Sequence, residues 1–242
     1  MFPIRDSIPS RRFPVINVAI IVVCSVVFLF ELSLGPHLEE FILRAAFVPA
    51  RLFGAPPAVA VPGPYPGLFG NLLTILVSMF LHGGWMHIIG NMWFLAVFGD
   101  NVEDVLGHGR YLLFYLGGGI FAALAHGVTN PHSVLPTVGA SGAIAAVLGA
   151  YMVWFPHSRV HTLIFLGFFV TTAELPAILF LGIWFVLQFV EGTMSMAAAG
   201  QLGGVAWFAH VGGFVYGFLL AKALRATGAV RIPPPRHTIW YH

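Results

Sequence analysis

Residues 139–155 read Gly-Ala-Ser-Gly-Ala-Ile-Ala-Ala-Val-Leu-Gly-Ala-Tyr-Met-Val-Trp-Phe. The stretch carries no charge and stays small or apolar to its end. Long apolar runs without period-two alternation specify helices rather than the strands of a membrane barrel. A second stretch of the same kind, from about Val205 to Leu224, holds His210 followed by Val211-Gly212-Gly213. Polar side chains at membrane depth cost free energy unless they are paired, which makes Ser141 and His210 candidates for function. Together they are a nucleophile type and a base type, the pair that acyl transfer requires.

Composition points to the same class. The chain has 242 residues, 58% hydrophobic and 8% charged, with mean hydropathy +0.89. An ordinary globular domain is about 25% charged. So much apolar surface does not fit inside one water-soluble core, and a polytopic helical membrane protein is the expectation. The net charge of +2 gives no sign of a nucleic-acid partner, so the lipid bilayer is the first expected one. The single cysteine, Cys24, lies inside the first apolar run and reads as a buried thiol. That run is too long for a signal-peptide core and no small-x-small cleavage site follows it.

Six spans are expected: about Val15–Leu34, His82–Phe98, Tyr111–Ala125, Ser141–Phe155, a fifth within Leu163–Val190 with its best helix after Pro176, and Val205–Leu224. Several fall short of the usual ~20 residues. The fold class is an all-α membrane protein, a six-helix bundle. Residues 1–14 form a cytoplasmic segment, 15–225 the membrane domain and 226–242 a cytoplasmic tail. Arg5, Arg11, Arg12, Arg110, Arg159, Lys222, Arg225, Arg231 and Arg236 fall on one side, and only Arg44 and Arg51 on the other. The positive-inside rule then places both termini in the cytoplasm. The long loop Gly35–Leu81 is rich in Pro and Gly and turns apolar at its end, as expected of a segment dipping into the outer leaflet. The uncharged loop Thr193–Gly204 has the composition of a lid, and Ile232-Pro-Pro-Pro-Arg236 that of a flexible tail.

Other residues join the pair. Glycines flank Ser141 at 139 and 142, allowing close approach of a partner. At a helix start the Ser141 N–H has no intrahelical acceptor and faces outward, as an oxyanion donor must. Gly213 and Gly217 share a helical face with His210, and Gly142, Ala145 and Gly149 offer a matching surface on the serine span. His87 and Asn91, spaced i, i+4, project from one face of the second span with donors suited to an oxyanion hole, and His82 lies nearby.

Small residues also serve plain helix packing, and a histidine also glues two spans. A metal site of His82, His87 and His210 is the rival within this cluster, but no His-Glu-x-x-His motif and no carboxylate in those spans supports it. No acid lies in the spans of Ser141 and His210, so a dyad is expected rather than a triad. The run Gly99-x3-Glu103-x3-Gly107-x3-Tyr111 reads as a solvated structural turn. A transporter or channel with a histidine-lined path is the alternative from another class; no inverted repeat or broken helix pair favours it.

Taken in order, His82-x4-His87-x3-Asn91, Gly139-Ala140-Ser141-Gly142 and Ala209-His210-x2-Gly213-x3-Gly217 resemble the rhomboid family of intramembrane serine proteases. The resemblance runs from about Thr74 to Leu220, and Gly99/Glu103/Gly107 and Gly182-x-Trp184-Phe185-x2-Gln188 share it. It implies a six-helix core with a membrane-embedded first loop. Ser141 is then the nucleophile and His210 the general base. His87, Asn91 and the Ser141 N–H form the oxyanion hole, with His82 in support and Gly139 and Gly142 shaping the site. Span five and the loop after it gate access. The implied substrates are single-span membrane proteins cut near the extracytoplasmic surface, with no cofactor and no metal. Plain loops suggest a prokaryotic plasma membrane. One departure is Ala145, where some relatives carry an aromatic residue packed on the histidine; the smaller side chain leaves the ring less constrained from that side. Retention of both Ser141 and His210 argues against a catalytically inactive, helix-binding relative.

Overall fold

Glycine and proline punctuate the apolar runs, and helices form between them. The computed structural model describes residues 1–54, 61, 67–166, 169–197 and 206–232. Strand β1 (Phe2–Asp6) precedes α1 (Val15–Ser33), and the first long connection holds α2 (Leu38–Ala45), α3 (Pro49–Phe53) and α4 (Gly67–Ser78). Helices α5 (Trp85–Leu106), α6 (His108–Thr129) and α7 (Ser141–Trp154) follow, then strands β2 (Arg159–Leu166) and β3 (Phe169–Pro176), then α8 (Ala177–Ala197) and α9 (Trp207–Ala226). The Pro-rich stretches at 55–57 and 62–64, most of the expected lid and the tail from 233 lie outside the described residues.

Among the described residues, four helices are long and apolar enough to cross a membrane: Val15–Ser33, His108–Thr129, Ala177–Met194 and Trp207–Ala226. They turn large apolar side chains outward, among them Val26 and Leu29 on α1 and Val186 and Phe189 on α8. Helix α7 is the reverse. It has only 14 residues, and every one except Ser141 and Met152 is buried. It packs most extensively on α9 and is also covered by α5, α6 and α8.

The chain is mostly helical rather than all-α. A three-stranded antiparallel sheet, in the order β1-β2-β3, occupies the end of α7 opposite Ser141. In the first pair Phe2 faces Leu163 and Asp6 faces Val160; in the second Arg159 faces Pro176 and Leu166 faces Phe169. The β-branched and aromatic residues of Arg159–Leu166 suit a pleated strand. Their apolar character alone placed part of them within the range of the expected fifth span; the helix of that span starts at Ala177, directly after Pro176 as expected. The first amides of α8 donate outside the helix, Ala177 to the Ser158 carbonyl at 2.8 Å and Ile178 to that of Pro156 at 3.0 Å.

A second correction concerns Gly99–Tyr111. The expected second span stops at Phe98, before the acids, yet α5 continues for two more turns because these acids have partners. Glu103 is buried, not solvated. Its carboxylate accepts the Ile16 N–H at 3.0 Å and the Asn17 N–H at 2.7 Å, capping the first turn of α1. Asn17 in turn donates to the Leu95 carbonyl at 3.0 Å and accepts the Tyr111 hydroxyl at 2.7 Å. A methyl at Gly99 would stand 2.1 Å from Asn17 Oδ1. The run is therefore a structural clasp joining α1, α5 and α6.

Asp6 ties the sheet to α7. Its Oδ2 accepts the Tyr151 hydroxyl and, at 3.1 Å, the Asn101 amide. Burial pushes the Asp6 carboxyl from 3.8 up to about 7; the Tyr151 hydrogen bond opposes the rise and the Asp100 charge adds to it. A carboxyl that holds its proton in the folded state while the unfolded chain ionises stabilises most at low pH. Its contribution is full below 3.8, falls as pH rises through about 7 and is then constant. Thermal melts in detergent should therefore show a melting temperature that declines across this window, and Asp6→Asn should flatten that slope.

Candidate active site

Ser141 is the first residue of α7, and the chain reaches it through Gly139, whose φ of +125° strongly favours glycine. A methyl at Gly139 would also stand 2.7 Å from His87 Nε2. The segment before the serine is held on its outer side. Gly139 N–H donates to the Ser78 carbonyl at 2.9 Å, Thr137 N–H to Phe47 at 2.7 Å, and Ala50 N–H to Ser133 at 3.0 Å. The first connection thus braces the approach to Ser141.

His210 stands in the first turn of α9, with Nε2 2.8 Å from Ser141 Oγ. Glycine makes this approach possible. A methyl at Gly213 would lie 2.0 Å from the Gly142 carbonyl oxygen, one at Gly217 1.9 Å from that of Ala146, and one at Gly149 2.3 Å from that of Phe214. The α7 and α9 backbones therefore touch over two turns. Gly142 itself faces Ala122 of α6, where a methyl would lie 2.6 Å from the alanine Cβ.

His87 and Asn91 face the same space from α5. His87 Nδ1 accepts the Gly83 N–H at 3.3 Å, which leaves the ring proton on Nε2, toward Gly139 and the serine. Asn91 Nδ2 is buried with no hydrogen-bond partner among the described residues. Ser141, His210, His87 and Asn91 line one cavity of about 850 Å³, together with His126, Trp184 and Gln188. His82 stands behind this layer: its ring packs on that of His87 at 5.3 Å, and its N–H is held by the Glu31 carboxylate at 3.2 Å. Three histidines do not converge on one point here, and among the described residues no three His, Cys, Asp or Glu side chains are grouped as metal ligands. Both His210 nitrogens already have partners.

Sequence reasoning missed several neighbours. Trp184 of α8 and Trp207 of α9 each lie 6.0 Å from the His210 ring, supplying the aromatic contacts that Ala145 does not. Gln188 Oε1 lies 2.5 Å from His210 Nδ1. The motif Trp184-Phe185-x2-Gln188 was visible as a resemblance, but its direction toward the histidine was not. His126, a polar residue in an apolar helix, and Glu31, an acid at the end of α1, were the available signals for the other two.

Residues 70–227 match the family described as Rhomboid domain. The chain is 32% identical over 155 residues to the rhomboid protease GluP of Bacillus subtilis (strain 168), covering 64% of this chain and 26% of that protein. It is 29% identical over 148 residues to the human presenilin-associated rhomboid-like protein, mitochondrial, covering 59% of this chain and 35% of that one. The chain spans only about a quarter to a third of the length of these relatives. Its apolar helices and these similarities make it an integral membrane protein.

The α7–α9 contact is open to a direct test. Gly217→Ala places a methyl against the Ala146 carbonyl, and overpacking of this kind costs roughly 1–3 kcal/mol. The variant should melt lower and lose about a hundred-fold in Ser141 reaction with a fluorophosphonate, as the histidine is displaced. Gly182→Ala, where nothing stands within 4 Å, should leave both unchanged.

Proposed function

Because the chain belongs to the rhomboid family, we propose that it is an intramembrane serine endopeptidase acting through a Ser141–His210 dyad. The observation that carries the reading is the 2.8 Å contact between Ser141 Oγ and His210 Nε2 inside a cavity that is also lined by Asn91, whose amide donor has no partner among the described residues. A packing serine and a gluing histidine need no cavity beside them and no empty donor at Asn91.

In this reading the substrate is a single-span membrane protein. Its helix reaches the site from the lipid past α8 and unwinds locally, because a helical carbonyl engaged in a hydrogen bond is a poor electrophile; Gly and Pro in that segment ease the unwinding. Ser141 Oγ attacks the scissile carbonyl carbon while its proton passes to His210 Nε2. The developing oxyanion takes hydrogen bonds from the Ser141 N–H, the His87 Nε2–H and the Asn91 amide. His210 returns the proton to the leaving amine, and the C–N bond breaks. Water from the cavity, deprotonated by the same histidine, then hydrolyses the acyl-enzyme. In this reading the termini are cytoplasmic, which the excess of Lys and Arg on their side supports, and the cut falls near the extracytoplasmic surface of a prokaryotic plasma membrane. The first connection sits in the outer leaflet.

The test is cleavage of a reporter with one transmembrane helix whose outer segment is rich in small residues and glycine. The purified wild type and Ser141→Ala are compared in proteoliposomes. Wild type should cleave, and Ser141→Ala should lose at least about a thousand-fold, as removal of an activated nucleophile does. Cleavage that survives Ser141→Ala in folded protein would end the dyad reading.

A further inference from the structure

The dyad uses one nitrogen of His210, and the other is also engaged. We propose that Gln188 is the positioning residue of the base: its side-chain oxygen fixes the tautomer and ring plane in which His210 takes the serine proton. The proposal rests on the dyad reading above.

To accept from Ser141 Oγ, His210 Nε2 needs a free lone pair, and a neutral imidazole then carries its single proton on Nδ1. That N–H meets Gln188 Oε1 at 2.5 Å. The opposite tautomer would set the Nδ1 lone pair against an amide oxygen, which is repulsive, and its Nε2–H could only donate to the serine, leaving no lone pair to take the proton. The energetic weight of the bond comes from burial. Gln188 is 9% exposed, and an unmet donor in such surroundings costs its full desolvation penalty.

The chemistry of the acceptor is as informative as its place. An acid would hold the same tautomer, as in Ser-His-Asp triads, but would add a charge at membrane depth. The titratable groups that share the cavity with His210 are themselves histidines, His87 from α5 and His126 from α6. The faces from α8 and α9 are the uncharged rings of Trp184 and Trp207. A neutral amide therefore supplies orientation without introducing a buried anion. Trp184 and Gln188 are spaced i, i+4 on α8, so one helical face delivers both the ring contact and the acceptor. The base on α9 and the nucleophile on α7 are thus registered by a third helix.

Gln188→Leu and Gln188→Glu separate positioning from packing. Reporter cleavage is measured as kcat and KM from pH 5 to 10, with fluorophosphonate labelling of Ser141 and a melting curve for each variant. Gln188→Leu should lower kcat about a hundred-fold with KM within about two-fold, since orientation and not binding is lost. Gln188→Glu should recover most of kcat, and its acid limb should move up by about one pH unit, because a carboxylate favours the protonated base. A Gln188→Leu kcat within about two-fold of wild type would overturn the proposal. So would a Gln188→Glu variant that is folded but as slow as the leucine one with an unmoved acid limb. The dyad reading is judged separately, by Ser141→Ala: if that variant still cleaves, the dyad fails whatever Gln188 does.

Discussion

The contact of two backbones, α7 on α9, is the constraint from which the rest of the structure follows. Lipid tails are as apolar as leucine, so helices in a bilayer gain little by hiding apolar surface from one another and rely on close packing and hydrogen bonds. Here the packing is at its closest where Gly213 and Gly217 meet the carbonyls of Gly142 and Ala146. The serine stands one residue before Gly142, at the head of α7, and the histidine stands one turn before Gly213. The distance between Ser141 Oγ and His210 Nε2 is therefore a property of the glycine register. A larger side chain at any of these glycines would act on the Ser141–His210 contact through the helix axes, without touching either side chain.

The buried α7 has to be anchored at both ends, and the two anchors differ. At the serine end the approach is held by backbone bonds from the first connection, through Phe47, Ala50 and Ser78. At the far end, side chains take over: Tyr151, near the end of α7, donates to Asp6 of the strand β1. Glu103 performs a related task one helix away, capping α1 from α5. The acids of this chain that lie within the fold thus serve largely as acceptors for amides and hydroxyls that would otherwise be buried unpaired. The His210 site follows the same economy with a neutral acceptor, an amide oxygen from α8.

Much of this architecture is legible from local sequence. Apolar runs and their lengths disclose the membrane helices, because the bilayer demands that each span satisfy its own backbone. Ser141, His210, His87 and Asn91 stand out because a polar group is rare at such depth, and Gly213 and Gly217 because i, i+4 spacing puts them on the face of the histidine. The strands β2 and β3 were hidden, since an apolar, β-branched run reads equally as a span until its pairing partner is known. Glu103 looked solvated because charge alone says nothing of the two amides of α1 that await it from 86 and 87 residues away.

By itself, then, the sequence determined a helical membrane protein and the residue types of a serine–histidine chemistry, because both are written in composition and in spacing within single helices. The tertiary structure decided what those residues meet. Only the packing of α8 on α9 brings the Gln188 oxygen to His210, and only the fold of the first connection braces Gly139. A sheet of three strands, whose partners are separated by more than 150 residues between Phe2 and Leu163, closes the far end of α7. Spacing along one helix is fixed by its pitch, whereas meetings between helices depend on crossings that no local pattern encodes.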